Sequence, residues 1–447
     1  MKTELRLALL LTRGSDRREW WRVTLTAVGA GLATGFGLAA VAVASLQGQY
    51  HVSLAAGLLE QPGERSGIVL TLLLLLVPVL GFLGQCARIG AVHRDRRLAG
   101  LRLAGASVGQ VRRIAALEAG LACLAGSAVA TVFSALLLLR EWQRPPGIVW
   151  AGFALIAVAV PVLGALVSTL ALRRVVASPL GWVRRVRPSG GRGPGPAFLG
   201  AVLVILVMGL LMTRDSLRGY TTAPLLVFTV VILTGMGAVW LTGATARLTG
   251  RSLAARTGNP ATLIAAERLR DDPWAAARTH AAVLLVTVVG TGFVGIQQVL
   301  LDELYGRSPE SRAENMSFYT TGVGLTGAAI LVALAITLSG LAVGTAESLA
   351  TRRRGLAAQA AAGVPHAVLG RALLLETALP LAPAVALAGV GGLAISTGYA
   401  SFADGGGSVP LLPLLVPVAV YAACLLAAAS SLPLLRRSVH PAELRYT

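Results

Sequence analysis

Ten long apolar runs leave few folds open to this chain of 447 residues. They lie at about 23–46, 67–87, 114–139, 148–172, 197–213, 223–245, 281–300, 321–346, 370–397 and 410–435. Coiled as a helix, some 20 apolar residues reach about 30 Å, the thickness of a bilayer's hydrocarbon core. Charged residues make up only 13% of the chain, about half the share of a soluble domain. The expected fold is therefore an all-α polytopic membrane protein with about ten spans. The first run, Val23–Leu46, is too long for the apolar part of a secretory leader and is expected to remain as a span.

The basic residues set the orientation. With both termini inside, the inner segments hold 32 Arg and Lys and the outer loops 7, the asymmetry that the positive-inside rule demands. The expectation is a multi-pass protein of the cytoplasmic membrane with both termini cytoplasmic. The net charge of +19 is spread over many short segments between spans, so it is assigned to topology and not to nucleic acid. Cys86, Cys123 and Cys424 lie in or beside apolar runs and read as small buried hydrophobes.

An internal repeat is visible. A shift of 258 residues aligns Leu98-Ala99 with Leu356-Ala357, Ala104-Gly105 with Ala362-Gly363, Arg113 with Arg371, and Leu117-Glu118 with Leu375-Glu376. Runs one to four and seven to ten read as two copies of one unit. Each copy is preceded by an amphipathic segment that ends at a tryptophan, Trp21 or Trp274. Four spans return the chain to the side it left, so the copies are parallel. The organisation expected is 4+2+4: a first four-helix repeat with its amphipathic elbow over 1–173, a linker and two connecting spans over 174–259, and a second repeat over 260–447. The linker contains the Pro/Gly/Arg stretch Pro188–Pro196. The two longest outer loops are expected after the first span of each repeat, at Gln47–Ser66 and Leu301–Thr320.

The aligned segments each read as helix, tight turn, membrane helix. In the first, Gly105 is suited to stop a short basic helix and Ser107 to cap the next. In the second, Gly363 takes the first role, and Pro365 fits a helix's first turn. Glu118 and Glu376 open apolar spans, which makes them candidate functional carboxylates. Arg113 and Arg371 lie five residues before them, off the same helical face. A partner is therefore expected elsewhere, on a neighbouring elbow helix or a backbone N–H. Gly31 and Gly35 in the first span, and Gly290 and Gly292 in the seventh, are read as helix-packing glycines. Their matching places suggest that spans one and seven cross near a pseudo-twofold axis.

Several chemistries find no support. A phosphate-binding loop of the Walker type needs an internal lysine, and the only lysine is Lys2. The formal GxGxxG at Gly290–Gly295 lies inside an apolar run, without the preceding strand that dinucleotide binding needs. The five histidines are scattered, and no metal-ligand spacing occurs. No catalytic, cofactor or metal residue is assigned to this chain.

The stretch RDRRLAGLRLAGASVGQVRRIAALEAGLACLAG, Arg94–Gly126, resembles the signature segment of the FtsX/MacB-type ABC permeases. There a basic coupling helix follows the second span, and the third span opens with a Leu-Leu-Glu-like sequence. Thr351–Ala382 resembles a degenerate second copy, and the ending His440–Tyr446 is similar too. The duplicated ten-span form resembles the bacitracin-efflux type, without its large external domain. The resemblance implies a separate cytoplasmic ABC ATPase, two copies per permease, that binds ATP and Mg. It implies one docking site at Arg96, Arg97, Leu101, Arg102 and Gly105, and another at Arg352, Arg353, Arg354, Leu356 and Gly363. Ala360 replaces the equivalent of Arg102, so the two sites are expected to be unequal. The implied activity is export or membrane extraction of an amphipathic or lipophilic compound such as a lipid, peptide or antibiotic. The alternative is a signalling complex that controls a cell-wall hydrolase or sensor.

Overall fold

In a bilayer, long apolar runs satisfy their backbone hydrogen bonds internally only as helices or closed barrels, and helices are what the described runs form. A computed structural model describes residues 17–46, 58–60, 62–86, 100–142, 145–171, 222–306, 309–402 and 411–438. All regular structure among them is helical. In chain order the helices are α1 (Arg17–Ala44), α2 (Pro62–Cys86), α3 (Val108–Glu141), α4 (Gly147–Ala171), α5 (Thr222–Arg256) and α6 (Pro260–Asp271). There follow α7 (Pro273–Gly306), α8 (Pro309–Thr351), α9 (Arg353–Ala361), α10 (His366–Phe402), α11 (Leu415–Ala429) and α12 (Leu432–Ser438). Nine helices among the described residues are long and apolar enough to cross a membrane, and they match nine of the ten expected spans. The chain has the architecture of a multi-pass α-helical membrane protein. The run at 197–213 and the linker Pro188–Pro196 lie outside the described residues.

The segment 301–320, expected as an external loop, is helical on both sides of 307–308. α7 runs on to Gly306, and α8 already begins at Pro309. Proline suits a first helical turn, where its missing N–H is not needed. At 43 residues α8 is about 65 Å long, twice the hydrocarbon thickness, so it extends beyond the bilayer.

The chain divides into two compact units, 1–46 with 82–189, and 47–81 with 190–447. This differs from the boundaries drawn from the repeat, because most of α2 groups with the later unit. Within that unit Leu74, Leu75 and Pro78 of α2 share a cleft with residues of α7 and α8. In the first unit, α3 packs on both α1 and α4. Hydroxyls bind across the second contact: Ser127 Oγ donates to the Ala157 carbonyl at 3.1 Å, and Ser168 Oγ to that of Ala115 at 3.2 Å. Leu38, Val149 and Phe153 close the far end of this unit. In the second unit α7 is the central span, packed against α5, α8 and α10.

Small residues set how closely these helices approach. A Cβ built on Gly126 of α3 would lie 1.9 Å from the Ala27 carbonyl oxygen and 2.9 Å from the Gly31 nitrogen. A Cβ on Gly392 of α10 would lie 2.7 Å from the Val288 oxygen and 2.9 Å from the Gly292 nitrogen. Gly31 and Gly292 thus serve crossings of the first span with the third, and of the seventh with the ninth. Each of these crossings lies inside one unit. Gly290 meets only side chains, Val416 at 3.4 Å and Ile330 at 3.6 Å. Gly35 has no described atom within 4 Å of its would-be Cβ and is not a packing glycine among the described residues.

Candidate functional site

The two segments aligned by the repeat fold into the same turn. Residues 100–103 are helical, and Gly105 has φ +95°. The Ala106 N–H donates to the Leu101 carbonyl at 3.0 Å, and the Gly105 N–H to that of Arg102 at 3.1 Å. In the second copy Gly363 has φ +89°. The Val364 N–H donates to the Gln359 carbonyl at 3.1 Å, and the Gly363 N–H to that of Ala360 at 2.9 Å. Both are Schellman endings, and a shift of 258 maps each donor and acceptor of one onto the other. The third span then starts at once. Ser107 forms a capping box, accepting from the Gln110 N–H at 3.2 Å and donating its own N–H to Gln110 Oε1 at 2.8 Å. Pro365 takes the same place before α10.

These glycines are required by backbone conformation. No described heavy atom lies within 4 Å of a Cβ built on either, so alanine meets no clash. It meets only the left-handed region, which costs a residue with a Cβ about 1–2 kcal/mol. We expect Gly105→Ala and Gly363→Ala each to lower the thermal stability of the purified chain by about that amount. Asparagine at the same positions should recover part of it.

The residues singled out for docking divide between surface and interior. Arg96 and Arg97 lie outside the described residues. Leu101 is partly buried and packs with Val111 and Ala115. Leu356 is 2% exposed and sits among Leu349, Leu369, Leu373 and Leu435. Leu356 is thus turned inward, whereas Leu101 keeps part of its surface outward. Arg102 is half-buried, and its Nη1 donates to the Ala106 carbonyl at 2.9 Å, fastening the turn from which it projects. Arg354, Gly105 and Gly363 are exposed, and Arg352 and Arg353 are half-exposed. Leu103, which sequence reasoning passed over, is 71% exposed beside Gly105. Its signal was available: it stands two residues from inward-facing Leu101, hence on the opposite side of the helix.

Both carboxylates are held by arginines of other helices. In the first unit, Glu118 of α3 accepts from the Arg22 guanidinium of α1, and both side chains are buried. In the second unit, Glu376 of α10 accepts from Arg268 Nη1 of α6 at 3.2 Å and from Arg352 Nη1 at 2.9 and 3.1 Å. Arg268 lies on the elbow helix. It is placed there because Asn259 caps α6 and Pro260 starts it, while Ala261, Ala265, Ala266 and Leu269 face inward. Arg352 stands at the joint of α8 and α9. Position 94, the counterpart of Arg352 in the first copy, lies outside the described residues.

An apolar cleft opens in the second unit between α2, α7 and α8, lined by Leu74, Leu75, Pro78, Leu285, Ile330 and Ala333 among others. Its one polar side chain, Thr71, already donates to the Gly67 carbonyl at 2.8 Å. The lining residues sit near the middle of their helices. Among the described residues no three His, Cys, Asp or Glu side chains gather as a metal site would need. No family model, curated protein or solved structure matches this chain.

Proposed function

We propose that the chain is the transmembrane subunit of an ABC transporter, arranged as 4+2+4 spans with both termini in the cytoplasm. A separate ATPase drives export or membrane extraction of an amphipathic compound. The pair of equivalent helix–turn elements carries this reading. Each joins two membrane spans through a short helix and a glycine-fixed turn, and each lies at the basic end of its spans. A positive segment needed only for topology has no requirement for a defined turn. Two copies of the same hydrogen-bonded turn, with exposed cationic rims, suit two equivalent grooves on a dimeric soluble partner.

The cleft supports the substrate class. Its wall offers no free donor or acceptor, so a hydrophilic solute has nothing to orient it, whereas a hydrocarbon tail fits such a surface. ATP-driven closure of the partner would move both turns and tilt the spans that follow them. Co-purification with a candidate ATPase tests the reading. We expect a complex whose hydrolysis rate responds to the permease, and at least a tenfold loss of affinity on Arg353→Glu/Arg354→Glu, roughly the 1.4 kcal/mol of a few surface charges reversed. An unchanged complex, with the variant folded, returns the basic segments to topology alone.

A further inference from the structure

Each element has its own fastenings among the described residues. The first closes on itself: Arg102 binds the carbonyl of Ala106, and Leu101 packs on Val111 and Ala115. Its carboxylate, Glu118, is sealed with Arg22 of α1 inside the helix packing. The second element has Ala360 where Arg102 stands. Its outer fastening is Glu376, which holds Arg352 at the start of α9 and Arg268 on α6. The Arg352 side chain is 39% exposed, so water and salt reach this fastening.

The spans above the carboxylates differ. Pro380 and Pro383 lie inside α10, so the carbonyls of Glu376 and Leu379 have no intrahelical donor. A helix bends most readily at such a place. α3 has no proline along its length. The second repeat thus combines a solvent-reachable ion cluster at its carboxylate with a jointed span directly above it.

We propose that Glu376 is the positioning residue of the second basic element. It ties the joint of α8 and α9 to α6 and α10, so that α9 and the base of α10 move together about Pro380 and Pro383. The proposal rests on the coupling reading for its meaning in transport, but the fastening belongs to this chain alone. An ATPase that presents a carboxylate to Arg352 would compete with Glu376 and release α9.

Hydrogen exchange on the purified full-length permease, without any ATPase, tests it. In wild type, raising NaCl from about 0.05 M to about 1 M screens the cluster and should speed exchange at 352–358 about tenfold. Glu376→Gln should show the faster rate already at low salt and lose the salt response, and Glu376→Asp should restore both. Arg352→Gln, at a half-exposed position, serves if the Glu376 variants fail to fold, and the salt series needs no variant. No salt response at 352–358 in wild type, or wild-type exchange in Glu376→Gln, would overturn the proposal. Neither outcome bears on whether an ATPase binds, which co-purification decides.

Discussion

Glu118→Ala should destabilise the chain by about 3–5 kcal/mol, because it leaves the Arg22 guanidinium buried without its counter-charge. Both side chains are buried, so water does not take the place of the lost partner. Much of the loss is the penalty on the remaining charge and not the worth of the pair. Replacing both residues by apolar ones of similar size, Arg22→Met with Glu118→Leu, should therefore recover most of the stability. The three cysteines are free and buried, so a thiol-reactive dye reads unfolding directly. A double variant as unstable as Glu118→Ala would show that the pair itself, and not the orphaned charge, holds α1 to α3.

Gly126→Ala should cost about 3 kcal/mol, the upper end for overpacking. The new Cβ would stand 1.9 Å from the Ala27 oxygen, and the obstacle is backbone that has no rotamer to change. α1 and α3 must separate, which also strains the Arg22–Glu118 contact one to two turns away. Gly392→Ala should behave alike where α7 and α10 cross, with 2.7 Å to the Val288 oxygen. Gly35→Ala is the control. It meets no described atom within 4 Å, and alanine's better helix propensity should leave stability unchanged or up to about 1 kcal/mol higher. The same dye assay ranks all three, and a Gly35 variant as damaged as Gly126 would contradict the crossing geometry.

What the sequence made legible was set by local rules. A long apolar run without the alternation of a barrel strand has one solution in a bilayer, so the spans are plain. A glycine after a short basic helix, followed by a serine or proline, has one common solution too, and both turns take it. Legibility ends where three-dimensional packing decides. Which span receives Gly31 is a matter of helix neighbours, and the answer is Gly126 of the third. Which cation meets Glu376 is equally non-local: Arg268 lies 108 residues away and Arg352 only 24. The inward turn of Leu356 depends on Leu349, Leu369, Leu373 and Leu435, gathered from three other helices. The start of α8 at Pro309 was missed because polar residues there read as loop, although a helix that leaves the bilayer needs no apolar face.

The mass of the complex formed with its ATPase is the most direct test of the coupling role. On the proposed reading each of the two turns docks one ATPase subunit, so one chain with two ATPase subunits is expected, bound in the same stoichiometry in detergent and in nanodiscs. Failure of any candidate ATPase to bind a folded permease, or assembly through a surface that reversal of Arg353 and Arg354 leaves intact, would contradict it.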